Sequence, residues 1–205
     1  MSVRVFLLSP ANCRGRRAQQ VMSPKATFSV AARLRSEEGV PIGELFAHMS
    51  GLYFRGKLTY ARRFGHAFVI TPDRGLIPSD ASISYQTLVR FGDADISLEN
   101  PSYRDPLEAT ACELARQAGE HAEFVLLGSV ASDKYVEVLG PIFGSRLTFP
   151  SEFVGRGDMS RGGLLLRAAA SGQELRYEPV LGAVRRGSRP PRLEPIRHLK
   201  LKEFL

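Results

Sequence analysis

The segment FVGRGDMSRGG, residues 153–163, places charged side chains among glycines between two apolar stretches. Its glycines allow backbone amides to approach a ligand closely, and it continues into a predicted helix at 163–172, whose N-terminus favours an anion. Arg156 and Arg161 are candidates to hold phosphate oxygens, with Asp158 as the one acceptor among these donors. The alternative is a glycine-rich surface turn in which the aspartate and the arginines pair with one another. The glycine spacing matches neither a dinucleotide-binding fingerprint nor a P-loop.

A second polar cluster, SPANCRGRRAQ, follows the first apolar run of the chain. Asn12 can hydrogen-bond a base edge or position a water molecule. Three arginines of the cluster can lie along a phosphate backbone: Arg14, Arg16 and Arg17. The alternative is the basic, solvent-exposed first turn of a helix. Cys13 is predicted to be a packing residue, because no histidine stands near it in the sequence to activate the thiol.

The segment GLYFRGKLTYARRFG, residues 51–65, interleaves aromatic and basic side chains. This pattern suits base stacking combined with phosphate contact, for which Arg55 and Lys57 are the candidates. At helical spacing, however, Phe54 and Leu58 are also consistent with a buried helix face whose charges lie in solvent. The four histidines lack metal-ligand spacing, and the two cysteines suggest neither a zinc site nor a disulfide, so no metal and no cofactor are predicted.

The spacing of apolar residues predicts the elements that position these side chains. Buried strands are expected for four short apolar runs: residues 3–9, 67–71, 123–129 and 146–150. Helices are expected for residues between them, most clearly for 106–120 and also for 133–143. A loop is expected at 72–78, and a last strand within 174–184 is expected at a sheet edge because Pro179 removes a ladder donor.

Strands that alternate with helices predict an α/β fold with a mainly parallel central sheet flanked by helices. We expect one three-layer domain over residues 1–184 and a basic C-terminal tail over residues 185–205. In such a sheet, ligands bind at the carboxyl ends of the strands, where polar residues stand in this sequence. Beyond the clusters already named, the candidates at these ends are Asp73, Ser129, Lys134 and Glu152.

The net charge of +7 is distributed unevenly along the 205 residues. Residues 1–66 carry eleven Lys and Arg against three Asp and Glu, whereas residues 93–123 carry two against eight. This segregation is typical of a face that binds a polyanion, so nucleic acid, in particular DNA, is the predicted partner. No apolar run approaches the roughly 20 residues that span a bilayer, and no secretory signal is recognisable, so a cytoplasmic protein without a membrane partner is expected.

The order of three segments resembles bacterial proteins of the uracil-DNA-glycosylase-like superfamily. These segments are VFLLSPANCRGRR, LYFRGKLTYARRFGHAFVITPDRGLIPSDASISYQTL and EFVLLGSVASDKYVEVLGPIF, and the resemblance covers roughly residues 3–143. They are also similar to the glycosylase-like domain of archaeosine synthases and, more distantly, to the peroxide-stress DNA-binding family. The GQDPYH and HPSPLS segments of true uracil-DNA glycosylases are absent, so those catalytic residues do not carry over.

The resemblance implies a uracil-DNA-glycosylase-like fold, base flipping and cleavage of an N-glycosidic bond in nucleic acid. The oxocarbenium-like transition state needs an acceptor near the sugar and donors for the departing base. Candidate acceptors at strand ends are Asp158 and Asn12 first, then Glu152 and Asp73.

We therefore expect a DNA glycosylase that excises a modified base, such as glucosylated hydroxymethylcytosine in phage DNA, leaves an abasic site and acts in phage defence. Two alternatives remain open. One is a non-catalytic DNA-binding protein of stress or repair, for which the charge asymmetry is sufficient. The other is a nucleoside or nucleotide N-glycosidase that uses the glycine-rich loop for one phosphate.

Overall fold

Eight strands and eight α-helices are present in the computed structural model, which describes residues 3–130 and 132–193. The strands are β1 (Arg4–Leu8), β2 (Val40–Pro41), β3 (His66–Ile70), β4 (Leu76–Pro78), β5 (Ser82–Ile83), β6 (Glu123–Leu127), β7 (Leu147–Pro150) and β8 (Tyr177–Pro179). The helices are α1 (Arg16–Met22), α2 (Ser29–Arg35), α3 (Ile42–Ser50), α4 (Leu52–Phe64), α5 (Tyr85–Asp93), α6 (Pro101–Ala118), α7 (Asp133–Phe143) and α8 (Asp158–Ser171). Two short 3₁₀ turns flank β7, at Gly144–Arg146 and Ser151–Phe153.

Six strands form one sheet in the order β4-β3-β1-β6-β7-β8, while β2 and β5 pair separately. The four central strands are parallel, and the two edge strands β4 and β8 run antiparallel to their neighbours. From β1 the chain crosses to β3 on one side, and it later returns to β6 on the other side. The carboxyl ends of β1 and β6 therefore flank the switch point of the topology, where ligands bind in open α/β sheets.

Alternate residues of each central strand enter different cores because strand side chains point to opposite faces. In β1, Phe6 and Leu8 belong to the core beneath α1 to α5 and α8, whereas Val5 and Leu7 belong to the core beneath α6 and α7. All four side chains are at most 2% exposed. Helices thus cover both faces of a mostly parallel sheet, and the predicted α/β architecture is confirmed at this level.

Helices α4 and α8 pack with their backbones in close contact. A Cβ atom on Gly56 would lie 2.6 Å from the carbonyl oxygen of Gly162, and a Cβ on Gly162 would lie 2.8 Å from the carbonyl oxygen of Leu52. Both helices begin on the side of the sheet where the parallel strands end. The glycine at position 162, expected from the sequence to approach a ligand, therefore serves the contact between two helices.

Several predicted elements have other bounds in the structure. The loop predicted at 72–78 contains β4, which pairs with β3, a tertiary contact that local sequence does not reveal. The helix predicted from residue 163 begins at Asp158, after Gly157 in an extended conformation, so the second half of FVGRGDMSRGG is helical. The last strand covers only Tyr177–Pro179, and it lies at the sheet edge, as Pro179 indicated.

Helix α6 begins at Pro101, five residues before the predicted start. The side chain of Asn100 accepts a hydrogen bond from the Ser102 amide at 3.1 Å, and proline is favoured in the first helical turn, which together explain the earlier start. Across the described residues, none of the helices has the length and apolar character required to span a membrane. Residues 194–205 of the predicted tail lie outside the described part of the chain.

Candidate functional site

A pocket of about 300 Å³ lies at the carboxyl ends of β1, β3 and β6. We call it the strand-end pocket, and its wall includes Asn12, Arg14, Pro72, Phe91, Lys134 and Tyr135. These residues follow three different strands or belong to α5 and α7. The structure thus brings together three of the four polar strand ends that the sequence indicated.

The loop between β1 and α1 holds Asn12 at the pocket in an exposed position. Its Oδ1 accepts a hydrogen bond from the backbone amide of Arg14 at 2.9 Å, which fixes the side chain in a turn. The guanidinium of Arg14 donates to the carbonyl oxygens of Gly92 and Asp93, the latter at 3.1 Å, so it ties this loop to the end of α5. Among the described residues the Asn12 amide group has no acceptor, and it is the donor that Asn12 offers to a ligand.

Asp73 stands beside the strand-end pocket, directly after the wall residue Pro72. One carboxylate oxygen lies 3.5 Å from Nε of Arg90, and the other lies 3.9 Å from Nε of Arg74. The second oxygen, Oδ1, is buried and accepts no hydrogen bond from any described residue. A buried acceptor without a donor is unfavourable, so this oxygen is a position at which a water molecule or a ligand hydroxyl gains a hydrogen bond.

Lys134 and Ser129 extend the site on the side of β6. Lys134 is half-buried in the pocket wall, with its ammonium 5.2 Å from the ring centroid of Tyr135. The hydroxyl of Tyr103 donates to the Lys134 carbonyl at 3.0 Å and thereby anchors the start of α7 to α6. Ser129 is half-buried, and its carbonyl accepts from the Ser132 amide at 3.1 Å in the turn before α7. Lys134 is therefore the cation that this side contributes to the pocket wall.

Lys57 is buried beneath the end of β1 and is 1% exposed. Its ammonium donates to the Ser9 carbonyl at 2.6 Å and to the Ser9 hydroxyl at 3.0 Å, and it lies 4.5 Å from the ring centroid of Tyr53. Burial lowers the pKa of Lys57 to about 7; Asp158 raises it and Arg161 lowers it further. The predicted contact between Lys57 and nucleic acid does not fit this buried position.

Asp158 and Arg161 lie at the start of α8, outside the strand-end pocket. The Asp158 side chain is 70% exposed, and one of its oxygens is 3.8 Å from the guanidinium of Arg161. Arg161 itself is buried and donates to the carbonyl of Phe153 at 3.1 and 3.3 Å. Arg161 thus holds the turn after β7 in place, and the pairing of aspartate with arginine that the sequence left open is present.

Tyr53 lies close to both Lys57 and Arg161. Its hydroxyl is buried without a hydrogen-bond partner among the described residues, and burial raises its pKa to about 12, with Arg161 acting in the opposite direction. The Arg161 guanidinium influences the hydroxyl electrostatically, but the two groups do not form a hydrogen bond of regular geometry.

Glu152 is separate from the strand-end pocket as well. It lies in the 3₁₀ turn after β7, where one carboxylate oxygen is 3.4 Å from the hydroxyl of Ser151. It lines a different, open depression beside Gln173 and Glu174. Arg156, four residues further on, contacts the chain near Pro191. The end of β7 therefore does not join the other three strand ends.

A basic groove of about 820 Å³ runs between α1, α3 and α4. Arg17, Arg55 and Arg62 line it, and Glu44, the one acidic residue that the described part of the chain contributes to its wall, is paired with Arg33 at 2.8 Å. Nε of Arg55 is buried and makes no hydrogen bond to a described residue. Arg17 of α1 lines this groove, and Arg14, three residues earlier in the chain, lines the strand-end pocket, so consecutive parts of one segment line the two.

Sequence reasoning missed the pairing of Asp73 with Arg90 and the role of Phe91 in the pocket wall. Both depend on how α5 returns to the strand ends. It also missed the burial of Lys57. The available signal was the neighbouring Gly56, because a glycine within a helix rich in aromatic residues indicates close packing against another element. Among the described residues, no cluster of His, Cys, Asp and Glu is arranged to hold a metal ion.

Comparisons of the chain with protein-family models, with curated proteins and with solved structures give no match.

Proposed function

We propose that this protein binds DNA, accepts one modified base in the strand-end pocket and hydrolyses its N-glycosidic bond. The position of the pocket carries the proposal, because it lies at the topological switch point, and the chain segment that supplies Arg14 to it continues to Arg17 in the basic groove. Pockets for small ligands range from about 300 to 1,000 Å³, so this one suits a single base. The α/β architecture is also compatible with the uracil-DNA-glycosylase-like fold that the sequence resembles.

Asp73 is the acceptor that we assign to the hydrolytic water, since its Oδ1 is buried and lacks a donor. Asn12 and Lys134 present the donors that would stabilise the departing base. In the reaction, the bond between C1′ and the base nitrogen breaks, and its electron pair leaves with the base. The oxygen of water bonds to C1′, and a proton from water ends on the base, directly or through Asp73.

The proposal is tested by incubating the protein with phage DNAs that carry unmodified, methylated, hydroxymethylated or glucosylated cytosine. Mass spectrometry detects the released base, and a strand-cleavage assay detects abasic sites. We expect release of one base by the native protein and at least about a hundredfold loss in Asp73→Asn and Asn12→Ala. Asp158→Asn, which changes a carboxylate outside the pocket, is the matched control and should retain the activity. Full activity of Asp73→Asn would contradict its assignment.

A non-catalytic DNA-binding protein is the second candidate. It is favoured by the two arginines beside Asp73, because a carboxylate that is held in ion pairs can have a purely structural role. In that case the protein binds DNA but releases no base from any of the substrates. Free nucleosides and nucleotides serve as additional substrates in the same assay, because release from them alone would instead indicate a small-molecule N-glycosidase.

A further inference from the structure

The start of the predicted tail is packed against the start of α7 and against the loop before α8. The guanidinium of Arg185 lies 3.5 Å from Asp133 and donates to the Val130 carbonyl at 3.4 Å. Further on, the chain passes so close to Gly155 that a Cβ at this position would lie 2.0 Å from the carbonyl oxygen of Ser188. Gly155 has a φ of +71°, a backbone conformation that favours glycine. Residues 185–193 thus form part of the folded structure.

This packing completes a further pocket, of about 320 Å³, which we call the tail pocket. Four arginines line it, two from the region of α8 and two from the tail: Arg156, Arg167, Arg189 and Arg192. The other wall residues include Ser160, and none of the lining residues among the described ones carries a carboxylate. Placing cations close together is unfavourable unless an anion compensates their charge.

The position of Arg156 is fixed within the tail pocket. Its Nη1 donates to the Ser160 hydroxyl and to the Pro191 carbonyl, both at 3.2 Å, which joins α8 to the tail. Its Nε is buried and has no hydrogen-bond partner among the described residues. A guanidinium that is oriented by two bonds and retains an unused buried donor is prepared to bind an acceptor group.

The carboxylate closest in sequence does not neutralise the tail pocket. Asp158 lies between the wall residues Gly157 and Met159, but its ion pair is with Arg161, which is not in the wall. Among the described residues, Arg189 and Arg192 are exposed and form no ion pair. The tail pocket therefore combines the oriented guanidinium of Arg156, the hydroxyl of Ser160 and two exposed arginines, Arg189 and Arg192, that form no ion pair with a described residue.

We propose that the tail pocket binds a phosphoryl group of high charge, namely a phosphomonoester or a diphosphate. Arginine matches phosphate oxygens with its planar set of donors, and several arginines suit a dianion better than the single charge of a phosphodiester. The group can belong to a terminal phosphate of nucleic acid or to a free phosphoryl ligand. This site does not depend on the proposed base-release activity.

Isothermal titration calorimetry with inorganic phosphate and pyrophosphate tests the site directly. We expect binding by the native protein and a loss of affinity of more than about tenfold in the double variant Arg189→Gln/Arg192→Gln. The double variant Arg104→Gln/Arg116→Gln removes the same charge from α6 and should bind as the native protein does. If neither ion binds, or if both double variants lose affinity equally, the tail pocket is not a phosphoryl site.

A second pair of variants leaves the arginines intact. Gly155→Ala should displace the tail and weaken pyrophosphate binding, because its Cβ collides with the Ser188 carbonyl. Gly119→Ala is the matched control: it has a similar φ of +81°, yet a Cβ there meets nothing within 4 Å. Equal affinity of the two variants would contradict the part assigned to the tail.

The source of the phosphoryl group is distinguished with two oligonucleotides that differ only in a 5′-phosphate or a 5′-hydroxyl. A preference for the 5′-phosphate that is lost in Arg189→Gln/Arg192→Gln would assign the site to a nucleic-acid end. Binding of pyrophosphate without this preference would assign it to a free phosphoryl ligand. Base release measured on the same samples reports separately on the strand-end pocket.

Discussion

Gly56 of α4 and Gly162 of α8 stand directly against each other, so that a Cβ atom on Gly56 would lie 2.6 Å from the carbonyl oxygen of Gly162. This contact brings the starts of both helices to the carboxyl edge of the sheet. It also sets the position of Tyr53, whose Cα would lie 2.8 Å from a Cβ on Gly162.

Gly162→Ala is expected to lower the free energy of unfolding by about 1–3 kcal/mol, because the new methyl group meets backbone atoms that cannot rotate away. Gly163→Ala is the control, since its Cβ would meet only the Leu193 side chain, at 3.7 Å. An alanine in place of a helical glycine gains about 0.5–1 kcal/mol, so this control should be neutral or slightly stabilising. Urea denaturation measures both variants, and equal effects would contradict the close packing.

The burial of Lys57 predicts a specific pH dependence of stability. Because the pKa is about 7 in the folded protein and 10.5 in the unfolded chain, the unfolded chain binds more protons between these values. The free energy of unfolding should therefore rise with pH above 7, by at most about 1.4 kcal/mol per pH unit. Below pH 7 both states are protonated, and this contribution becomes constant.

Lys57→Met removes the titrating group and should flatten this rise. Urea denaturation of both proteins at pH 7 and pH 9 measures the difference, and this range stays below the titration of the buried tyrosines, such as Tyr53 with a pKa of about 12. Parallel pH profiles for the native protein and Lys57→Met would show that Lys57 keeps an ordinary pKa. The hydrogen bonds to Ser9 that Lys57→Met removes change the free energy of unfolding equally at both pH values. They therefore do not obscure its dependence on pH.

The basic groove predicts the salt dependence of DNA binding. Arg55→Gln and Arg62→Gln each remove one potential phosphate contact, so the slope of log affinity against log salt should become shallower by about 0.7–0.9 per variant. Arg116→Gln on α6, whose arginine pairs with Glu113, should leave the slope unchanged. Fluorescence anisotropy at several salt concentrations gives the slopes. If all three variants behave alike, DNA does not occupy the groove.

The edge strand β8 is held to α4 by two phenol groups. The Tyr60 hydroxyl accepts a hydrogen bond from the Leu175 amide at 2.8 Å and pairs with the hydroxyl of Tyr177. Tyr60→Phe leaves both partners unsatisfied and should cost about 1–3 kcal/mol, whereas Tyr177→Phe retains the Leu175 bond and should cost about 0.5–1.5 kcal/mol. Thermal and urea denaturation rank the variants, and the reverse order would indicate that Tyr177 is the main attachment.

The central strands were predictable because their sequences are short apolar runs bounded by polar residues, as in VRVFLLS and EFVLLGS. Helix α7 was predicted with its observed bounds, Asp133–Phe143. The start of α8 was not, since the glycines of FVGRGDMSRGG suggest a loop. The need for glycine at position 162 comes from its close contact with Leu52, which is more than a hundred positions away in the chain. No local sequence pattern could reveal this contact.

The candidate site was predictable only in part. The rule that ligands bind at strand ends placed Asn12 and Lys134 at the carboxyl edge of the sheet, and both line the strand-end pocket there. The same rule also selected Asp158 and Glu152, which lie elsewhere because the chain after β7 turns through Ser151–Phe153 into α8, and α8 packs against α4. The ion pair of Asp73 with Arg90 depends on the return of α5, which sequence spacing does not encode.

Both outer strands of the six-stranded sheet are only three residues long and end in proline, Pro78 in β4 and Pro179 in β8. Proline lacks the amide hydrogen that a neighbouring strand would need, and short strands offer few further groups for pairing. A second copy of the chain therefore finds few free backbone groups with which to extend the sheet at either edge. At high protein concentrations, this should protect the protein from aggregating through its β-sheet.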